Sequence, residues 1–221
     1  MKYVWTGILL ALLWSGPAAS EPALTTDEQR TVYALGVQLM LDLSAFNLTE
    51  QELLIVQRAM RDMRKGELAI DPNQYLERVG DLAQSRQQAQ GRLEAKRGQA
   101  YFEAAKRDVG AQLSPSGLVL KVERAGKGVK PTAGSKVRVH YRGALVDGTV
   151  FDSSYERGQP AEFALNQVIP CWTDALTQLR IGAKAKLVCP PRIAYGRKGA
   201  PPAVPPNATL VFDVELLQLV K

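Results

Sequence analysis

The sequence contains the stretch Val137-Arg138-Val139-His140-Tyr141-Arg142-Gly143, which Asp147-Gly148-Thr149-Val150-Phe151-Asp152 follows after three residues. Apolar side chains at Val137, Val139 and Tyr141 alternate with polar ones, which is typical of a β-strand with one buried face. Asp-Gly is a favoured dipeptide in the tight turn between two antiparallel strands. The stretch therefore predicts a β-hairpin within an antiparallel sheet.

Similar patterns continue downstream of the hairpin. Leu187 and Cys189 share one face of a further strand, and the last strand has an apolar face made of Leu210, Phe212, Val214 and Leu216. A short helix is expected from Trp172 to Leu179. Glycine and proline become frequent after residues 112–117, where the composition changes. We therefore predict an α+β domain over residues 112–221, in which an antiparallel sheet curls around one helix.

The N-terminal half has a different composition. Residues 26–109 contain little glycine or proline and are predicted to be helical. The apolar faces of the first two helices consist of Val32, Leu35, Leu39 and Leu43 and of Leu53, Val56, Met60 and Met63. We assign residues 21–70 to an all-α domain. Asp71-Pro72 provides a cap and a first-turn proline for a third, long helix, and we assign residues 71–111 to this connecting segment.

The middle of the third helix lacks an apolar face. From Gln84 to Gln99, Leu93 is the only large apolar residue, which predicts a solvated helical stalk. Two short helices and a stalk cannot bury much core alone, so their apolar faces are expected to contact a second copy of the chain. The alternative is that the helices dock on their own C-terminal domain.

Residues 1–20 have the pattern of a cleaved signal peptide. Lys2 provides the positive start, Val4 to Trp14 is a short apolar run, and Ala18-Ala19-Ser20 supplies small residues before a cut expected at Glu21. The alternative is an uncleaved anchor. Export predicts an oxidising compartment, in which Cys171 and Cys189 could form a disulfide. Two buried free thiols are the alternative.

Charge and residue types exclude several functions. The chain has 221 residues and a net charge of +6, but its basic residues are scattered among acidic ones without interleaved aromatics. We therefore expect no nucleic-acid partner. His140 is the only histidine, and with two cysteines it does not make a metal site. Phosphate-binding, dinucleotide-binding and serine-hydrolase motifs are missing from the sequence, and we expect no cofactor.

Large aromatic and branched residues are concentrated in the C-terminal half. They are Tyr141, Phe151, Val168, Ile169, Trp172, Tyr195 and Phe212. From composition alone, these side chains favour a hydrophobic core over a binding pocket. Their order along the chain changes that interpretation.

The C-terminal half carries a succession of motifs from Ser114 to Lys221. In order, they are Val139-His140-Tyr141-Arg142-Gly143, Asp147-Gly148-Thr149-Val150-Phe151-Asp152-Ser153-Ser154, Val168-Ile169-Pro170-Cys171-Trp172, Ala194-Tyr195-Gly196 and Pro205-Pro206-Asn207-Ala208-Thr209-Leu210-Val211-Phe212. This succession resembles the FK506-binding type of peptidyl-prolyl cis/trans isomerase. The resemblance implies an enzyme that rotates X-Pro peptide bonds in an apolar pocket without a cofactor or metal.

The resemblance also implies roles for individual residues. Trp172 would form the pocket floor and Tyr195 would offer a hydroxyl at the rim. The walls would consist of Tyr141, Phe151, Val168, Ile169 and Phe212. Asp152 would orient Tyr141 and Arg157 would be its partner, although Asp152 could instead cap a turn and Arg157 could be a solvated charge. Val204, in the loop after Tyr195, is expected at the substrate-binding surface.

Two departures from the family pattern concern ligand size. Ala161 stands where many members have a pocket-edge aromatic, and the loop from Arg197 to Val204 has small residues at its tip. Both imply weaker binding of bulky ligands such as macrolide inhibitors. Cys171 occupies a position usually filled by glycine. If it forms a bond to Cys189, that bond would tie the start of the short helix to the neighbouring strand.

The N-terminal half resembles the helical domain of bacterial macrophage infectivity potentiator proteins and their periplasmic relatives. The resemblance rests on Tyr33-Ala34-Leu35-Gly36-Val37-Gln38-Leu39 and Ala100-Tyr101-Phe102-Glu103-Ala104. It implies a homodimer formed by the N-terminal helices and a location in the periplasm, with outer-membrane or cell-surface association as a further option. Expected partners are proline-containing unfolded or exported polypeptides. A folding chaperone, or a binding module that has lost turnover, are the alternative functions.

Overall fold

The computed structural model describes residues 22–220, so the predicted signal peptide at residues 1–20 lies outside the described residues. The chain divides into two compact units, and the larger one begins at Leu41. Helix α1 spans Asp27–Asp42, and a 3₁₀ turn spans Leu43–Phe46. Helix α2 spans Glu50–Lys65, and helix α3 spans Leu76–Ala105.

Local capping sets the ends of α2. The Thr49 hydroxyl accepts a hydrogen bond from the Glu52 N–H, and the Glu52 carboxylate accepts one from the Thr49 N–H, which together form a capping box. Gly66 ends the helix with a positive φ of 75°. Asp71 caps a short 3₁₀ turn, Pro72–Gln74, and α3 begins only at Leu76, so the start of the third helix was predicted a few residues too early.

Seven antiparallel strands form the C-terminal sheet. They are β1 Ala111–Leu113, β2 Val119–Arg124, β3 Lys136–Leu145, β4 Val150–Ser153, β5 Ala161–Ala164, β6 Lys184–Cys189 and β7 Leu210–Val220. Their order in the sheet is β1-β2-β6-β7-β3-β4, and β5 also pairs with β3. The predicted fold class, a helical region with a long helix followed by an antiparallel sheet domain, is confirmed.

The core lies between the sheet and helix α4, which spans Pro170–Gln178. Val137, Val139 and Tyr141 of β3 are buried, as their alternation predicts, and so are the four apolar residues of the last strand. Ala175 and Leu176 of α4 are fully buried in the same cluster. The sheet and this helix therefore hold the residues between them in fixed positions.

Helix α3 is less solvated than its composition predicts. Gly91, Glu94 and Gly98 are buried, and a Cβ atom built on Gly98 would lie 2.8 Å from the Cβ of Thr209. The backbone of α3 can approach the segment before β7 because glycine has no side chain. The prediction of a solvated helical stalk is therefore wrong for this face, since hydrophobic patterning does not detect contacts made through glycine.

Candidate active site

An aromatic hollow of about 250 Å³ opens beside α4. Its lining consists of Tyr141, Phe151, Asp152, Phe163, Gln167, Val168, Ile169, Trp172, Tyr195 and Phe212. Strands β3, β4, β5 and β7 and the start of α4 supply most of these residues. The hollow therefore brings together side chains that are far apart in the sequence, and most of them are aromatic or aliphatic.

Trp172 sits at the centre of a set of edge-to-face ring contacts. Its ring centroid lies 5.1 Å from that of Tyr141, 5.3 Å from that of Phe163 and 5.4 Å from that of Phe212. Such aromatic pairs stabilise by about 0.5–1.5 kcal/mol each beyond their burial. The buried indole Nε1 has no hydrogen-bond partner in the described part of the chain. Aromatic packing therefore holds this ring.

Gly143 of β3 allows the ring packing on the other side of the hollow. A Cβ atom at Gly143 would lie 2.7 Å from Phe151 and 2.9 Å from Phe212, which is too close for either ring to stay in place. Phe151 and Phe212 themselves meet edge to face at 5.6 Å. A glycine inside a strand often marks a close approach of this kind, so the sequence did carry a signal for this residue.

One edge of the hollow is polar. The Tyr141 hydroxyl donates to a carboxylate oxygen of Asp152, and the Arg157 guanidinium donates both to Asp152 and, at 2.9 Å, to the Tyr141 oxygen. Burial opposes ionisation of Asp152, but the hydrogen bonds from Tyr141 and Arg157 outweigh it and hold the pKa of Asp152 below its ordinary value. Burial, followed by the hydrogen bond to Asp152, raises the pKa of Tyr141.

The three groups of this polar edge, Tyr141, Asp152 and Arg157, each keep one protonation state at neutral pH. The hydrogen bond to Asp152, followed by that to Tyr141, raises the pKa of Arg157. Asp152 is ionised and Tyr141 and Arg157 are protonated at neutral pH. The arrangement can orient a phenol and a charge at the wall of an apolar site, but it supplies no group that gains or loses a proton near pH 7.

The comparisons with known proteins match both halves of the chain. A family model described as FKBP-type peptidyl-prolyl cis-trans isomerase matches residues 127–217, and one described as the domain amino terminal to FKBP-type peptidyl-prolyl isomerase matches residues 28–122. The FKBP-type peptidyl-prolyl cis-trans isomerase FkpA of Escherichia coli K12 is 39% identical over 216 residues, which cover 91% of this chain and 79% of the relative. This chain belongs to the FKBP-type peptidyl-prolyl cis-trans isomerases.

Two further comparisons extend the match over most of the isomerase. The FKBP-type 22 kDa peptidyl-prolyl cis-trans isomerase of Escherichia coli K12 is 37% identical and covers 90% of this chain and 98% of the relative. The crystal structure of FkpA from Escherichia coli matches with a TM-score of 0.66 at 37% identity, and covers 89% of this chain and 98% of that one. The recognition of the family and of its enzymatic activity from sequence is therefore confirmed.

The structure places two predicted substrate-binding residues outside the lining of the hollow. Val204 is only 3% exposed and packs in the core, because its N–H and C=O pair with those of Ala200 and turn its side chain inward. Arg157 is exposed and reaches the site only through Asp152 and Tyr141. The position predicted for Val204 is therefore wrong, whereas Arg157 is an ion-pair partner rather than a lining residue.

Three residues around the site of the isomerase were not predicted. Phe163 packs against both Tyr141 and Trp172, Gln167 lines the hollow, and the buried Ser154 hydroxyl accepts from the Tyr141 N–H at 2.8 Å. Phe163 pairs with Val137 across the sheet, so the same alternation that buries Val137 could have identified it. Ser154 lies just after β4 and has no such signal, because its role depends on a hydrogen bond to Tyr141 of β3.

A disulfide joins Cys171 to Cys189, with 5.8 Å between their Cα atoms. Cys171 precedes Trp172 at the start of α4, and Cys189 is the last residue of β6. The bond thus attaches the helix that carries the indole to the central part of the sheet. Groups of side chains that could hold a metal ion are missing from residues 22–220, and no helix in that range is long and apolar enough to cross a membrane.

Proposed function

We propose that this isomerase assists the folding of exported proteins, and that it binds the twisted X-Pro amide in the aromatic hollow. The single observation that carries the proposal is the mainly aromatic lining, in which rings from four strands and α4 surround a space of about 250 Å³. This volume is slightly smaller than the range for drug-sized ligand pockets, about 300–1,000 Å³. It has room for a proline ring with its adjoining peptide, and not for a folded segment.

Rotation about an X-Pro bond requires no bond to be made or broken. Its barrier is about 20 kcal/mol because the planar amide is stabilised by resonance. A catalyst must therefore bind the twisted amide better than either planar form. The twisted carbonyl is more ketone-like and less polar, so a site with little water favours it. This chemistry fits a hollow whose lining contains no residue that exchanges protons at neutral pH.

The proposal assigns roles to most of the lining residues. The proline ring packs on Trp172, between walls formed by Phe151, Val168, Ile169 and Phe212 together with the Tyr141 ring. Tyr195 is 41% exposed at the rim, where its hydroxyl can donate to the peptide. Asp152 and Arg157 hold the Tyr141 hydroxyl in one orientation. The disulfide at Cys171 keeps the Trp172 helix in place beneath the substrate.

A short X-Pro peptide assay tests this proposal on residues 21–221. Replacing Asp152→Ala removes the hydrogen bonds that orient Tyr141. We expect a loss equivalent to one charge-assisted bond, about 1.5–3 kcal/mol, so kcat/KM should fall about ten- to hundredfold. Asp81→Ala, an exposed carboxylate on α3, is the matched control and should change little. FK506 should compete with the peptide. Absence of turnover by the wild type would overturn the proposal.

The pH profile gives an independent check. Since the pKa of Asp152 is lowered and those of Tyr141 and Arg157 are raised, all three keep their charge states between about pH 6 and pH 8. We expect kcat/KM on the short peptide to be level across this range. A bell-shaped profile in the wild type that becomes level in Asp152→Asn would show that the polar edge takes part in proton transfer, contrary to this mechanism.

We also propose that the N-terminal helices form a homodimer. None of the residues of α1 or α2 is buried, and Ile55, Leu68 and Ile70 line a groove of about 300 Å³ that is almost entirely apolar. Exposed apolar surface of this kind favours association. Light scattering should find residues 21–221 as a dimer and residues 112–221 as a monomer. Ile55→Glu should weaken the dimer and Gln57→Glu should not, whereas a dimer of residues 112–221 would contradict this assignment.

The same exposed surface supports a second candidate function, a chaperone that holds unfolded chains. The two functions separate in an aggregation assay with a client that lacks proline. If Asp152→Ala suppresses aggregation as well as the wild type does, holding does not depend on the hollow.

Export is supported by the signal pattern at residues 1–20, and the mature protein should begin at Glu21 in N-terminal sequencing of a periplasmic fraction.

A further inference from the structure

A second hollow lies between α3 and the segment that follows Tyr195. We call it the stalk groove. Its volume is about 380 Å³, and its polar lining consists of Gln84, Gln87, Gln88 and Arg92 of α3 facing Arg197 and Asn207. Neither the isomerase chemistry nor dimerisation requires these residues. The groove therefore needs a separate explanation.

The stalk groove is built by a close contact at its base. Gly91 is buried, and a Cβ atom on it would lie 3.2 Å from the Cβ of Pro206. The Asn207 side chain donates to the Gly91 carbonyl at 3.4 Å, and the Asn207 N–H donates to the Gly196 carbonyl at 3.0 Å. These contacts join the helix to the same loop that carries Tyr195, so the positions of groove and rim are linked.

The loop that follows Tyr195 connects the stalk groove to the aromatic hollow. Tyr195 lines the hollow, and Arg197, two residues later, lines the groove. Two residues span at most about 7 Å of chain. An extended polypeptide with its proline in the hollow therefore needs only a few flanking residues to reach the groove.

The side chains of the stalk groove match a polypeptide with acidic residues. Glutamine amides both donate and accept, as peptide groups do, and arginine binds carboxylates through two parallel hydrogen bonds. On α3, Arg86 pairs with Glu52, Arg97 pairs with Glu94, and Arg78 lies over the Tyr75 ring. Among the described residues, Arg92 has no such partner, and neither does Arg197. The lining contains no carboxylate that would neutralise these two cations.

We propose that the stalk groove is a second subsite for the client polypeptide, which binds the backbone and the acidic side chains of residues that flank the proline. This proposal rests on the proposed function, since it assigns the preference of the same site for its substrate. The groove has no aromatic face on which a nucleobase could stack, so a polypeptide fits it better than a nucleic acid. The isomerase then favours X-Pro bonds that have Asp or Glu a few residues away.

Paired peptides test the proposal with residues 21–221. One peptide carries only a short X-Pro core, and four others extend that core on either side with a segment that contains two glutamates or two glutamines. We expect the wild type to prefer a glutamate extension over the matched glutamine extension by about three- to tenfold in kcat/KM at low salt, mainly through KM. The preference should decrease as salt is added.

The variant pair isolates the two cations. R92Q/R197Q should lose the glutamate preference while its rate on the short core stays within about twofold of the wild type, and Trp172 fluorescence checks its fold. R107Q/K130Q removes two exposed cations outside the groove and should keep the preference. Equal rates on both extensions in the wild type, or an unchanged preference in R92Q/R197Q, would overturn the subsite. So would competition by a single-stranded oligonucleotide and not by the acidic peptide. If the wild type does not turn over the short-core peptide, the proposed function is overturned instead.

Discussion

The sheet domain buries its apolar side chains, whereas the first two helices expose many of theirs. In the sheet domain, Leu176, Leu187 and Leu210 are completely buried. In α2, by contrast, Leu54 is 52% and Ile55 is 68% exposed. Burial stabilises an apolar side chain by about 1.5–3 kcal/mol, so the sheet domain gains this stabilisation within one chain. The helices can gain it only by contact with another surface.

This contrast also separates two kinds of functional surface. The hollow of the sheet domain is shaped largely by rings that pack edge to face against one another, which gives it a fixed form. The apolar faces of α1 and α2 have no such support and are suited to association. Helix α3 lies between these extremes, because it uses glycine rather than large apolar residues for its contact with the sheet domain.

The largest expected effect tests whether the sheet domain is stabilised by its own buried core. Leu187→Ala should lower its free energy of unfolding by about 2–5 kcal/mol, because it leaves a cavity in a fully buried position. Leu54→Ala, its control on α2, should cost the sheet domain less than about 0.5 kcal/mol. Residues 21–221 contain a single tryptophan, Trp172, so its fluorescence in urea reports on this domain. If both variants lower the free energy of unfolding of the sheet domain equally, the contrast between the two regions is contradicted.

The disulfide should stabilise the sheet domain and not the N-terminal helices. Its cysteines are 18 residues apart, and a closed loop of this length contributes about 3 kcal/mol. Reductant should therefore weaken the sheet domain by about this amount, and the double variant Cys171→Ala/Cys189→Ala should be insensitive to reductant. Two titratable thiols in the denatured, unreduced, exported protein would show that the bond does not form.

Two glycines of α3 should respond in opposite directions. Gly98→Ala places a Cβ atom against the buried Thr209, and overpacking of about 1–3 kcal/mol should exceed the gain in helix propensity of about 1 kcal/mol. Gly80→Ala meets no atom within 4 Å and should stabilise the helix by about 1 kcal/mol. Circular dichroism in urea measures both. Stabilisation by both variants would mean that the contact at Gly98 is open in solution.

The smallest expected effect concerns the link between α2 and α3. The hydrogen bond from Arg86, followed by that from the Thr49 backbone, lowers the pKa of Glu52 from 4.5 to about 2. A lowered pKa means that the stabilisation is fully present above about pH 4.5 and is lost as the pH falls toward 2. Thermal melts should therefore depend less on pH in this window for Glu52→Gln than for the wild type. Glu50→Gln, on the same first turn, should retain the dependence.

Most of the sheet domain could be predicted because its strands follow a simple rule. The alternation of Val137, Val139 and Tyr141 predicts which side chains face inward, and Asp147-Gly148 predicts the turn. The chain order of the motifs also identified most of the lining of the hollow. Val204 was misplaced because a loop has no periodicity, and its short backbone bridge to Ala200 decides its direction.

The amino-acid sequence by itself determined the family, the strands with their inward faces, and the helical character of the N-terminal half. Repeating patterns and local capping carry this information along the chain. Only the tertiary structure decided that Phe163 joins the rings around Trp172, that Ser154 holds Tyr141, and that glycines of α3 meet the segment before β7. Alternation can place Phe163 on the inward face of its strand, but the contacts themselves depend on the shapes of surfaces that are distant in sequence, which no pattern in one segment specifies.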